Sequence, residues 1–345
     1  MNDTFKQQFR QRLGRPLQTL GFAVGLTEFS PRLRRIRGAI VLMYHSVARQ
    51  EQAAFIDPQN HVPADVFESQ LAFLSQHRRV ISMRQLIELT RQGQSPQPRT
   101  VVVTFDDGYL DNLTVAAPLL HRYELPATLF LPTAYIDRAE TQWIDQAYSA
   151  FKFRTCSHLT VNGGDDRVFD LDEPAECEAA YRCVCNLLMT AGAQQRRALL
   201  DAVVDQLAPS QVPPRLTMTW DDVRTLTERY PRFDIGGHTV EHTDVTSTSA
   251  EQAREELRGC SSRIEANTGV RPRHFSFPYG RSSDELRAVA ADAGFEAACG
   301  STGDKLVTGT SNPMAIARVP APPSMHRFGL LTSAANSGFW RKLGK

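Results

Sequence analysis

The chain has 345 residues, 41% of them hydrophobic, and its 39 Lys and Arg against 38 Asp and Glu leave a formal net charge of +1. That length allows one large α/β domain or two ordinary ones, with enough apolar content for a sizeable core. The balanced charge and ordinary composition give no ground for a nucleic-acid-binding, disordered or fibrous chain.

Charge is uneven only at the start. Residues 1–37 carry Lys6, Arg10, Arg12, Arg15, Arg32, Arg34, Arg35 and Arg37 against Asp3 and Glu28, with Phe5, Phe9 and Leu13 at four-residue spacing. This is a basic amphipathic arm, read either as a solvated or packed helix or as peripheral docking on an anionic membrane surface. It lacks the apolar h-region and cleavage site of a signal peptide, and "LQTLGFAVGL" is too short to span a bilayer, so a cytoplasmic location is expected, with peripheral inner-membrane contact as the alternative to a solvated or packed arm.

From residue 39 onward strand and helix patterns take turns: "AIVLMYH" as strand, 64–77 as helix, "RVISM" as strand, 84–91 as helix, "TVVVTF" as strand, 109–123 as helix and "ATLFLP" as strand. After residue 216 the alternation resumes with a helix at 221–230, "FDIGG", a helix at 250–268, "HFSFP", a helix at 283–293, "FEAACG" and "AIARVP". Such alternation predicts parallel strands with crossover helices, and the number of units favours a (β/α) barrel over a doubly wound sheet. Residues 141–216 break the rhythm with a hairpin expected around Asn162-Gly163 and helical runs at 175–189 and 194–207. The predicted organisation is therefore an arm at 1–37, a barrel at 38–140 and 217–325, an inserted, mostly helical cap at 141–216 and a C-terminal tail at 326–345.

Six cysteines without a C-x-x-C pair read as free thiols in a reducing compartment, packed as small hydrophobes. No G-x-G-x-x-G or P-loop pattern follows any strand.

The chemistry concentrates at three strand ends. "VVVTFDDG" places Asp106 and Asp107 side by side at the mouth of a buried strand, where like charges need a positive partner. Taken alone, Asp-Asp-Gly also reads as a helix cap and turn. "DIGGHTVEH" sets His238 and His242 four apart, facing one way if the segment turns helically. Asp107, His238 and His242 then offer two nitrogens and one carboxylate oxygen to a divalent metal, and Asp106 can stay ionised as a general base. The third strand end is "HFSFPYGR".

In order and character, "TFDDG" at 104–108, "HTVEH" at 238–242 and "FPYG" at 277–280 resemble the polysaccharide deacetylases, the NodB-homology or carbohydrate esterase 4 group, over about half the chain. The resemblance implies a distorted (β/α) barrel of about seven parallel strands. It also implies Asp107, His238 and His242 as metal ligands, Asp106 as base and the backbone N–H of Tyr279 as an oxyanion donor. Two departures stand out. Many members carry Arg two residues before the Pro of the third motif, where this chain has Ser276, leaving Arg281 or Arg318 as the partner of the base. No L-x-H motif near the C-terminus offers the usual general acid. His326, in a stretch that reads as a loop, is one candidate, and His45, in "VLMYHSV", is favoured because it resembles a subgroup whose first strand ends in Tyr-His. A histidine acid beside a carboxylate base predicts a bell-shaped pH profile with a basic limb set by the histidine.

The expected activity is metal-dependent removal of acetate from an N-acetylated amino sugar in a bacterial glycan or lipid-linked precursor, with zinc favoured over cobalt, nickel or manganese and no nucleic-acid partner. The alternatives are the same site acting on an O-acetyl ester, a formamide or another small amide, and a non-catalytic carbohydrate-binding barrel.

Overall fold

The computed structural model describes residues 36–161, 167–301 and 304–333. The basic arm up to residue 35, the turn at Asn162-Gly163 and the tail from residue 334 lie outside the described residues.

Seven parallel strands close a barrel. They are β1 (Ala39–Tyr44), β3 (Thr100–Phe105), β4 (Ala127–Leu131), β7 (Phe233–Gly237), β8 (His274–Ser276), β9 (Ala297–Gly300) and β10 (Ile316–Pro320), in the order β1-β10-β9-β8-β7-β4-β3. Closure comes from β1 pairing with β3 along its whole length, Ala39 opposite Thr100 through Tyr44 opposite Phe105. The predicted strand "RVISM" is reduced to β2 (Arg79–Val80), paired beside the start of β3 where β4 reaches only Thr104 and Phe105. Ser82 caps the following helix in a capping box with Gln85, so helix begins at Met83 and ends the strand early.

Strand periodicity decides which residues meet inside. Ala39, Val41, Val102, Phe130, Cys299 and Ile316 form the apolar cluster in the barrel, while Ile40, Leu42, Val101, Val103 and Leu129 face outward onto the helices. The inward parity continues at the C-terminal ends to His45, Thr104 and Asp106, Ser276 and Arg318. Gly236, opposite Phe130, is required by size: a Cβ there would lie 2.5 Å from the Phe130 ring.

The outer layer holds α1 (Ala64–His77), α2 (Met83–Arg91), α3 (Ala117–Arg122, entered through a π turn at Asn112–Ala116), α4 (Thr133–Arg138), α8 (Trp220–Arg229), α9 (Ala250–Thr268) and α10 (Asp284–Asp292). Between α4 and α8 the chain forms α5 (Trp143–Lys152), the antiparallel pair β5 (His158–Val161) and β6 (Arg167–Asp170), α6 (Pro174–Thr190) and α7 (Ala193–Leu207). These share their own core of Trp143, Phe151, Leu159, Phe169, Val184 and Leu200. Where a loop was expected around His326, α11 (Met325–Thr332) forms instead, its Ser324 cap accepting from Arg327 and its Phe328 fully buried in the main core. Among the described residues no helix is long and apolar enough to cross a membrane.

Candidate active site

β3 delivers Asp106 to the barrel mouth on its inward parity. Asp107 follows with φ 72° and Gly108 with φ 65°, two left-handed residues that turn the chain sharply and keep both carboxylates in the mouth. Gly108 is fixed by space as well, since a Cβ there would stand 2.7 Å from Ile136 Cδ1. The pair caps no helix. Asp111, which no motif in the sequence singles out, supports the site: its carboxylate accepts from Ser46 Oγ at 2.7 Å and Val47 N–H at 3.0 Å, while Asn112 Nδ2 donates to His45 O at 2.9 Å. The end of β1, and with it His45, is thereby tied to the Asp-Asp turn.

His238 and His242 are brought together without a helical turn. Thr239 has φ 65° and His242 φ 51°, and the loop is held by Glu256, whose carboxylate accepts from Val240 and Glu241 N–H at 2.7 and 3.1 Å. Arg138 grips the Glu241 carboxylate at 3.0 and 2.9 Å, and Arg196 on α7 donates to Glu241 O at 3.1 Å. These supports come from α4, α7 and α9, 15 to 103 residues from their partners in the motif, and left no mark on it.

His238 Nε2 stands 3.6 Å and His242 Nε2 3.3 Å from Asp107 Oδ1. The Nδ1 of His238 lies 2.7 Å from Ser276 O, an acceptor only, so that nitrogen carries the proton and Nε2 presents a lone pair to the cluster. Burial lowers both imidazoles below their ordinary range and raises Asp107 well above its own, with the Asp106 charge adding to the rise. Asp107 Oδ1 is buried with no hydrogen-bond partner. An orphaned carboxylate oxygen facing imidazole nitrogens is a costly arrangement that a cation relieves. One donor atom from each of Asp107, His238 and His242 lies within 4.8 Å of the others, and this oxygen-and-two-nitrogen set fits a borderline divalent ion.

Arg318, not Arg281, meets Asp106. Its Nη1 donates to Asp106 Oδ1 at 2.7 Å and its Nη2 to Oδ2 at 2.5 Å, with further bonds to Thr104 Oγ1 at 3.1 Å and Ser276 Oγ at 2.6 Å. Ser276, which stood out as a departure from the family pattern, is thus a partner of the arginine. Burial alone would raise Asp106, but the Arg318 charge and hydrogen bonds outweigh it and hold the carboxyl below the usual range. Arg281 pairs with Asp244 at 2.7 Å instead.

His45 Nε2 lies 4.0 Å from Asp107 Oδ2, and burial lowers the ring to about 4, against the opposing pull of Asp106. Tyr279 has φ 57° and sets its ring edge-on to His242, centroids 5.0 Å apart. Asp106, Asp107, His45, His238, His242, Tyr279 and Arg318 all line one cavity of about 610 Å³. His326 is on α11 and does not line it.

A closed parallel barrel whose C-terminal mouth carries an Asp-Asp pair and two histidines places a group that could hold a metal ion where barrel enzymes carry their chemistry. The polysaccharide deacetylase family model matches residues 93–298, and the chain belongs to that family of hydrolases, which act on acetylated glycans through non-peptide C–N bonds or esters. Over 130 residues the chain is 28% identical to YxkH of Bacillus subtilis (strain 168), named as a polysaccharide deacetylase, a match that spans 36% of this chain and 44% of that protein. The fold is similar to the Streptococcus pyogenes deacetylase PplD in complex with acetate, with TM-score 0.57, 16% identity, and 86% of this chain and 98% of that one covered. It is also similar to IcaB from Ammonifex degensii, with TM-score 0.56, 15% identity, and 87% and 98% covered.

Proposed function

We propose that the chain is a metal-dependent deacetylase that hydrolyses the N-acetyl group of an amino-sugar unit in a bacterial glycan or lipid-linked glycan precursor. The observation that carries this reading is a buried, ionised Asp106 clamped by Arg318 directly beside the Asp107, His238 and His242 donor set. A divalent ion held by those three residues, zinc being favoured, would polarise the acyl carbonyl and acidify water.

The rest falls to the chain itself. Asp106 takes the proton of the attacking water, and Arg318 keeps it ionised until then while Thr104 and Ser276 hold the guanidinium in line. The backbone N–H of Tyr279 serves the developing oxyanion. His45, which lines the same cavity, takes that proton over from Asp106 and delivers it to the leaving nitrogen.

The test is acetate release from N-acetylated sugars and oligosaccharides by the zinc-loaded protein, with formyl and O-acetyl analogues alongside. Acetate from the amide with loss of activity in Asp106→Asn supports the reading. Formate or ester hydrolysis in its place would shift the substrate assignment, and no hydrolysis of any of them by metal-loaded protein would sink it.

A further inference from the structure

The segment between α4 and α8 does more than flank the barrel: one face of α6 forms a wall of the catalytic cavity. Glu178, Tyr181, Arg182, Cys185, Asn186 and Met189 line it, a 3-1-3-1-3 spacing that defines a single helix face. Among the hydrogen bonds that pin this segment to the rim, two stand far apart. Tyr181 Oη donates to Asp57 Oδ2 at 2.5 Å in the loop after β1, and Trp143 Nε1 on α5 donates to Tyr279 Oη at 3.3 Å in the loop after β8. The first anchor is reinforced by Ser149 Oγ donating to Phe55 O at 3.0 Å and Lys152 Nζ to Ala54 O at 2.8 Å.

The strand order gives these contacts their meaning. In the ring β1-β10-β9-β8-β7-β4-β3, β1 and β8 are three steps apart, as far as two strands of seven can be. The two bridges therefore reach opposite sides of the mouth and close it over β3, β4 and β7. On the other arc, through β10 and β9, the cavity is bordered by Pro320, Gly300 and Ser301. Among the described residues no hydrogen bond or ion pair joins residues 141–216 to residues 297–325 on that arc. Among the described residues the site is thus walled on one side and open on the other.

We infer that the enzyme is a terminal-residue deacetylase: it takes the end of a glycan, or a short oligosaccharide, and α6 stops the chain from running through. The cavity of about 610 Å³ is of a size to take one compact ligand against this wall, and it continues on the β1 and β10 side, where a second cavity of about 740 Å³ shares Met43, His45, Gln59, Asn60 and Pro320 with it. At the back wall Arg182 and Asn186 offer polar contacts, and Tyr181, Cys185 and Met189 offer surface for a sugar face. The inference rests on the deacetylase reading for its chemistry, and on the architecture alone for its size limit.

The experiment uses the zinc-loaded protein and β-1,4-linked N-acetylglucosamine oligomers from dimer to hexamer, with the position of each lost acetyl group mapped by mass spectrometry. The expected result is loss from one terminal residue only, with kcat/KM of the hexamer within about threefold of the trimer, because residues outside the pocket add little binding. Loss from interior residues as fast as from the end, or a hexamer favoured more than about tenfold over the trimer, would overturn it. Tyr181→Phe, with its fold checked by circular dichroism, should raise the ratio of interior to terminal product, since it removes one of the bonds that hold the wall at Asp57. Trp143 lines the cavity and supplies a binding signal independent of turnover. If no oligomer loses acetate but dimer and hexamer bind within about twofold of each other, the terminal pocket stands and the deacetylase reading falls. A hexamer bound more than about tenfold tighter than the dimer overturns the pocket whatever the chemistry.

Discussion

Arg318 and Asp106, 212 residues apart, meet as a two-pronged ion pair inside the barrel, the arginine from β10 and the carboxylate from the end of β3. Both side chains are only 3% exposed, so neither charge can turn to water when the other is removed. Arg318→Met should cost about 3–5 kcal/mol of stability by stranding a buried carboxylate, and Arg318→Met with Asp106→Asn should recover most of it. Activity should stay lost in both, because general-base catalysis is worth about 10²–10⁴-fold. Chemical denaturation and acetate release on the same three proteins check this, and a double variant no more stable than the single one would refute the pairing argument.

Metal should bind where the donor set lies. Isolated protein should carry about one divalent ion per chain, and added zinc or cobalt at a hundredfold excess over Kd should stabilise the fold by about 2.7 kcal/mol. Asp107→Asn and His242→Ala should lose both effects. Elemental analysis and thermal melts measure them; an unchanged metal content in either variant would contradict the assignment.

Two histidines were candidates for the proton delivered to the leaving group, and only His45 lines the cavity. His45→Ala should lower kcat about 10²–10⁴-fold with KM little changed, whereas His326→Ala on α11 should keep near-normal turnover. The opposite pattern in steady-state kinetics would reverse the assignment.

Asp145 on α5 is fully buried, accepting from Tyr109 Oη at 2.6 Å and Asp57 N–H at 2.8 Å, and burial pushes it up to about 7. Its folded pKa lies above its unfolded value near 3.9, so the folded protein binds the extra proton between these values. Its contribution is full below about pH 4 and declines as pH rises toward 7. The difference in Tm between wild type and Asp145→Asn should therefore move against wild type over that interval and level off above it. A difference independent of pH would show that Asp145 is ionised in the folded state.

The sequence by itself determined what depends on neighbours in the chain. Alternating apolar runs and helical periods marked the parallel barrel, and the Asp-Asp-Gly, His-x-x-x-His and Phe-Pro-Tyr-Gly clusters marked three strand ends, because strand parity and turn chemistry act over a few residues. Only the tertiary structure decided which distant groups share the mouth. It chose Arg318 over Arg281 because β10 lies beside β1, which closes onto β3 with inward parity at residue 318, while Arg281 is taken by Asp244. It placed His45 at the cluster because β1 pairs residue by residue with β3, and it put His326 on a helix. The imidazole spacing looked helical but is produced by left-handed residues and by Glu256, Arg138 and Arg196, contacts for which local sequence carries no signal. Long-range pairing of buried charge is set by how the barrel closes, and closure is a property of the whole sheet.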